Sequence, residues 1–187
     1  MTDRRGEFEA VALTLLPVVY RTAVGLSGNA DEARDLVQDT YLRAYRTFEN
    51  FAPGTNCKAW LLTILHSVFV NRYRKARRDP LALVHGDEAA LDQMAGPNPS
   101  HEGVDALGRT TTDAEIERAL AQLPEEYRVT VLLVDVEELS YEEAATVLQC
   151  PIGTIRSRLA RARKMLAASL REHAKRAGYV RATGGEE

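Results

Sequence analysis

Apolar residues recur at three- and four-residue steps along most of this chain, and no stretch alternates with the period of two that marks a strand. Residues 8–26 predict an apolar-rich helix, with Pro17 as an interruption or a kink. Ser27-Gly28-Asn29 is a turn, and Asn29 or Asp31 then caps a helix through DEARDLVQDTYLRAYRTF. Ala33, Leu36, Val37, Tyr41, Ala44 and Phe48 keep helical spacing along it. Residues 50–58 read as a loop marked by Pro53-Gly54, and 59–78 as a helix that is apolar at first and strongly basic at its end. Periodicity fades over 79–112, where three prolines, four glycines and an excess of acids predict an extended linker with room for a short helix at 87–94. The pattern resumes with Thr112 and Glu115, a capping box ahead of a helix over 114–122. Leu123-Pro124 opens another helix through Tyr127, Val131, Leu132 and Leu133, and residues 178–187 read as a frayed tail.

The strongest local signal lies in LSYEEAATVLQCPIGTIRSRLARARKML, residues 139–166. Ser140 can cap a helix, Glu143 completes a capping box, and Ala144, Ala145, Val147 and Leu148 give it a small apolar face. Gln149-Cys150-Pro151 breaks it, with Pro151 suited to the first position of the next helix, where its missing N–H costs nothing. Ile155, Leu159, Ala162 and Leu166 share one arc of that second helix. Gly153, Ser157, Ala160, Arg161 and Lys164 share the opposite arc, with Arg156 and Arg163 on a flank. A capped helix, a short turn and a helix with a small, basic exposed face make a helix-turn-helix suited to a DNA major groove. A surface helix with a solvated basic face is the plainer alternative.

Charge sharpens this picture. The net charge of −3 hides segregation: residues 72–78 carry five basic residues and no acid, and 113–150 carry ten acids against two arginines. Residues 151–187 carry nine Lys and Arg against three Glu. Two basic patches in an acidic chain predict two nucleic-acid contacts, with acidic faces left for a protein partner. The opening residues lack the apolar core of a signal peptide, so a cytoplasmic protein without membrane insertion is expected. Cys57 and Cys150 have no CxxC partner, and His66, His85, His101 and His173 show no ligand spacing. No metal and no cofactor are therefore expected, and the cysteines read as small packed residues.

In their order along the chain, these pieces resemble the extracytoplasmic-function group of bacterial sigma factors. DLVQDTYLRAYRTFENF (35–51) resembles sigma region 2 where it docks on the polymerase clamp. FAPGTNCKAWLLTILHSVFVNRYRKARR (51–78) resembles the part that opens and reads the −10 element, and 123–166 resembles region 4, which reads the −35 element. PGTN-x-KAWL and NRYRK are similar in wording to the subgroup answering thiol-oxidative stress, whose members are held inactive by a zinc-containing anti-sigma protein; Cys57 and Thr63 depart from that pattern. The resemblance implies an all-α fold of two small helical domains joined by a flexible acidic linker. Its bounds are 1–78 (region 2-like), 79–112 (linker), 113–177 (region 4-like) and 178–187 (tail). The implied partners are core RNA polymerase, promoter DNA and an anti-sigma factor.

Roles follow for particular residues. Asp35, Gln38, Asp39 and Arg43 line one helix face, which by resemblance meets the polymerase; a solvated set of ion pairs such as Asp39 with Arg43 is the alternative. Reading a flipped −10 base needs a loop with a permissive backbone, and Asn56 and Lys58 can meet a base edge and a phosphate there. Trp60 stacks or packs in the core. Asn71, Arg72, Arg74, Lys75, Arg77 and Arg78 track the separated strand, with Tyr73 placed to stack. For the −35 element, Arg156, Ser157 and Arg161 are the expected base readers, with Thr154, Arg158, Arg163 and Lys164 on phosphates. Arg158 lies toward the apolar side, where bridging the two helices is its alternative. The main rival function is a stand-alone helix-turn-helix regulator, which leaves the 72–78 cluster and the acidic linker without a job. Catalysis is not expected, because no nucleophile, base and orienting group come together in the sequence.

Overall fold

A computed structural model describes residues 4–52, 54–78 and 111–176. The linker predicted over 79–112 lies almost wholly outside the described residues, and the 87–94 helix and the 178–187 tail lie entirely outside them. Among the described residues every regular element is helical.

Residues Arg4–Ser27 are long and apolar enough, by length and composition, to cross a membrane. In the fold they divide. Helix α1 (Arg4–Ala12) passes through a 3-10 turn (Leu13–Leu15) into α2 (Leu16–Ser27), and Pro17 stands in the first turn of α2, where no intrahelical N–H is needed. Phe8, Ala12, Val19, Ala23 and Leu26 face the core. Helix α3 (Ala30–Thr47) starts where the Asn29 side chain accepts from the N–H groups of Asp31 and Glu32 at 2.8 and 3.1 Å, so Asn29 rather than Asp31 is its cap. Phe8 inserts edge-on among Tyr41, Tyr45 and Phe48, with ring centres 5.2–6.3 Å apart. The Tyr41 hydroxyl donates to the Ala12 carbonyl at 2.9 Å, satisfying one of the acceptors left over at the end of α1.

Helix α4 (Cys57–Arg78) begins two residues before the predicted start, because the Asn56 side chain accepts from the Ala59 N–H at 3.2 Å and caps it. Leu61, Leu62, Leu65, Val68 and Phe69 drive its apolar stripe against Leu36 and Ala33 of α3 and Val19 of α2.

Helix α5 (Thr111–Ala121) also starts earlier than expected, which places Thr112 inside the first turn and not at a cap; Ser, Thr and Asp are tolerated there because those N–H groups have no helical acceptor. Helix α6 (Glu125–Val131) runs into a π-helical turn (Leu132–Val136). Helix α7 (Tyr141–Leu148) and helix α8 (Ile152–Arg176) follow. A small core of Leu123, Val131, Leu159 and Ala162 holds α8 on α6. The larger core is shared: Val129, Leu133, Leu139, Ala144, Val147 and Ile155 pack in one cluster with the buried residues of α1–α4. Helix α6 lies on α2 and α7 lies on α4. The sequence leaves the placement of the two helical groups open, and the structure brings them together along this seam.

His66 sits in α4, where burial holds its imidazole below the usual value of 6.5. The unfolded chain then takes up a proton that the folded chain resists, so stability is expected to fall as pH drops through 6.5 and to level off below the folded value. Urea denaturation at pH 7.5 and 5.5 measures this, and His66→Gln should flatten that part of the pH dependence.

Candidate nucleic-acid and polymerase interfaces

The helix-turn-helix is seated by the bonds its sequence predicts. The Ser140 hydroxyl accepts from the Glu143 N–H at 3.1 Å, and a Glu143 carboxylate oxygen accepts from the Ser140 N–H at 2.9 Å. Both orphan donors are satisfied reciprocally. Helix α7 stops at Gln149, whose φ of 50° is left-handed, and the Cys150 N–H returns to the Ala145 carbonyl at 3.1 Å. Pro151 stands one residue before α8, not at its first position, and its carbonyl accepts from the Thr154 N–H at 2.8 Å.

On α8, Ile155, Leu159 and Ala162 are buried, while Arg156, Ser157, Arg161 and Lys164 are exposed. Among the described residues no salt bridge engages Arg156, Arg161 or Lys164. Thr154 is partly buried. The other two arginines of the −35 candidates are occupied within the fold. Arg158 donates to Glu126 at 2.9 Å, bridging α8 to α6, and Arg163 forks onto Asp135 at 2.6 and 3.1 Å. The Arg163 fork fixes angle as well as distance, while Arg158 makes a single bond. They tie the basic helix to α6 and its π-helical turn beside the apolar core that seats it.

The second candidate surface begins at the turn before α4. Gly54 takes φ 82°, a conformation that side-chain-bearing residues rarely adopt, and Thr55 closes the turn through its N–H and hydroxyl, both onto Ala52. Asn56 uses its oxygen to cap α4, which leaves its NH2 group pointing away from the helix; that group donates to Glu143 at 2.6 Å. The Lys58 ammonium donates to the Glu137 backbone carbonyl. Trp60 lies half-buried against Phe51 and Phe48, with centroids at 5.0 and 6.2 Å. Cys57 is packed against the same core, and burial pushes its thiol pKa up. Asn71 is exposed and Tyr73 is half-buried. Arg74, Lys75, Arg77 and Arg78 follow on the last turns of α4, their side chains outside the described ones.

The third surface is α3. Gln38 and Arg43 are exposed on it. Asp39 pairs with Arg72 of α4, at 2.7 Å, and not with Arg43; Asp35 stands 3.6 Å from the same guanidinium. The acidic end of the docking candidates and the first cation of the strand-tracking candidates thus meet across α3 and α4.

Two functional-looking groups escape sequence reasoning. Glu137 is only 2% exposed, yet its carboxylate accepts two bonds from the Arg21 fork at 2.9 Å and a weaker one from the Thr22 hydroxyl at 3.4 Å. The one available signal is that Arg21 is the sole charge in the otherwise apolar α2. Arg128 is the other. It reaches the Ala121 and Leu26 carbonyls, both at 3.3 Å, collecting acceptors at the ends of α5 and α2, and burial lowers its pKa.

Among known proteins, residues 12–79 match the family model for sigma-70 region 2, and residues 113–166 match that for sigma-70 region 4. The chain is 41% identical over 158 residues to the ECF RNA polymerase sigma factor EcfG of Rhodopseudomonas palustris, covering 84% of this chain and 82% of that one. It is 32% identical over 174 residues to the RNA polymerase sigma-H factor of Pseudomonas aeruginosa, covering 87% of each. Among solved structures it is similar to the sigma factor RpoE of Bartonella quintana, crystallised with the anti-sigma factor NepR. That likeness has a TM-score of 0.66 and 33% identity, over 88% of this chain and 97% of that one.

Proposed function

The chain belongs to the extracytoplasmic-function sigma factors of RNA polymerase, and on that premise we propose how its surfaces divide the work of initiation. A sigma factor is a transcription initiation factor and not an enzyme, so each surface binds and none catalyses. Helix α8 reads the −35 element through Arg156, Ser157 and Arg161, with Thr154 and Lys164 on the backbone. The observation that carries this is the exposed cationic stripe on a helix seated by its buried Ile155, Leu159 and Ala162 and tied by Arg158 to Glu126 and Arg163 to Asp135. Arg158 and Arg163 then serve the fold first and the phosphates second. The turn at 52–58, with Asn56 and Lys58, reads the −10 element. Asn71, Arg72, Tyr73 and the four basic residues after it guide the strand, and Trp60 braces the turn from the aromatic cluster. Asp35, Gln38, Asp39 and Arg43 form the polymerase-docking face of α3. The first domain is read as 1–78 and the second as 113–177.

Core RNA polymerase and promoter DNA are the partners this reading requires, and the cytoplasm is its compartment. An anti-sigma factor restrains the protein, a reading supported by the RpoE–NepR complex. The zinc-containing kind rests on the wording of residues 53–61 and 71–75 alone, and metal analysis of the complex purified from its host decides it. The regulon is a stress regulon.

Run-off transcription with core polymerase on promoters from its own genome tests the whole reading. Start sites that need this protein and share two motifs support it; tight binding to a palindrome without polymerase, and no transcripts, moves the protein to the regulator class. Asp39→Ala is expected to weaken polymerase binding by about fivefold or more. It should change stability by about 1 kcal/mol or less, because the Asp39–Arg72 pair is partly open to solvent and Asp35 remains beside the arginine. Titration of labelled variant onto core polymerase measures the first effect and thermal melting the second. Unchanged affinity removes Asp39 from the docking face.

A further inference from the structure

We propose that Arg72 is a positioning residue for polymerase docking: from α4 it holds the Asp39 carboxylate away from Arg43, so that both charges stay on offer to the partner. The inference rests on the reading of α3 as the docking face, and it gives Arg72 a task that comes before the strand. Asp39 and Arg43 stand four residues apart on α3. An acid and an arginine at that spacing pair readily along a helix, and a pair closed on itself cancels both charges. On this helix that pair does not form. The Arg72 Nε and Nη2 groups both donate to Oδ2 of Asp39, at 3.2 and 2.7 Å.

The choice of atoms matters. Both bonds fall on one oxygen, so among the described residues no hydrogen bond engages Oδ1 of Asp39, and 45% of that side chain is open to solvent. Arg43 is exposed, and among the described residues no salt bridge engages it. The face therefore presents an oriented carboxylate oxygen and a separate guanidinium, a pattern that fits a partner surface carrying both signs of charge.

The same guanidinium steadies the rest of the acidic edge. Its Nη1 stands 3.6 Å from Asp35. Glu32, Asp35 and Asp39 share one arc of α3 at three- and four-residue steps, where like charges repel. Glu32 is half-buried, and burial raises its carboxyl pKa, with Arg72 pulling it back and Asp35 pushing it further. One cation from α4 thus faces three carboxyls, and each of its nitrogens is turned toward α3. A strand phosphate competes with these groups for Arg72.

The test measures binding of the labelled full chain to core polymerase in the absence of promoter DNA, so contact with a strand cannot contribute. Thermal melting confirms that each variant is folded. Arg72→Ala is expected to weaken binding by about two- to tenfold, the cost of letting one interface side chain lose its order. Arg72→Lys keeps the charge but not the fork, and it should stay at least about twofold weaker than the wild type. Adding Arg72→Ala to Asp39→Ala should cost less than about twofold more than Asp39→Ala alone, because Arg72 acts through Asp39. Unchanged binding by Arg72→Ala overturns the proposal, as does tighter binding. So does full rescue by lysine, which would make charge alone sufficient. Additive losses in the double variant overturn it too, because they would set Arg72 itself against the polymerase. Asp39→Ala by itself separates the premise from the inference. If it binds as the wild type does, the docking face falls and the proposal with it; if it binds weakly while Arg72→Ala binds normally, only the positioning role falls.

Discussion

Alanine at both Arg156 and Arg161 is expected to cut initiation at −35-dependent promoters by about 30-fold to about 10⁴-fold. Each arginine that forks onto a guanine contributes about 1–3 kcal/mol of discrimination, and the two positions are far enough apart on α8 for the losses to add approximately. The geometry favours the full effect. Both side chains are exposed, and α8 is anchored on its buried side by Ile155, Leu159 and Ala162, so the substitutions leave its seat intact. Run-off transcription from a mapped promoter, beside a thermal melt, separates lost recognition from lost folding. Arg158→Ala and Arg163→Ala provide the contrast. Arg158→Ala removes a tie from α8 to α6 and Arg163→Ala one to the π-helical turn, so the melting temperature should fall slightly while base preference at the −35 element is kept. Equal initiation by the double variant and the wild type would withdraw α8 from −35 recognition.

Leu65→Ala should destabilise the fold by about 2–5 kcal/mol, a large share of the roughly 5–15 kcal/mol that typical domains possess. Leu65 has no exposure and lies midway along α4, among Leu61, Leu62 and Val68. Its removal leaves a hole bounded by several helices, and such sites collapse poorly. Because the main core extends from α4 to Val129, Leu133 and Val147, the loss should reach α6 and α7 as well, so that all helices melt in one earlier transition. Urea denaturation followed by circular dichroism measures the midpoint. A change below about 1 kcal/mol would mean that the neighbouring helices close the hole.

Much of this was legible because it is local. The Ser140–Glu143 capping box, the break at Gln149-Cys150-Pro151 and the buried arc of α8 depend on residues within a few positions of one another, and the structure contains all three. Element starts shifted where a single hydrogen bond decided them, as with Asn56 and α4. The seam was not legible. Glu137 is one of ten acids in 113–150 and carries no local mark of burial; its partner Arg21 lies 116 residues away. Periodicity reports which face of a helix is apolar, not which other helix covers it. The Asp39–Arg72 pair shows the same limit. Four-residue spacing nominated Arg43 for Asp39, yet a guanidinium 33 residues on reaches it better, because α3 and α4 pack side by side.

The seam shared by the two helical groups and the exposed face of α8 are built from different residues. On the proposed assignment, promoter choice rests on Arg156, Ser157 and Arg161 of α8. Gly25 serves the packing instead: a Cβ there would lie 2.6 Å from a Leu132 methyl group, so α2 and the π-helical turn come close. A substitution at Gly25 is therefore expected to change the melting temperature and leave promoter choice alone, and a thermal melt beside run-off transcription would separate the two.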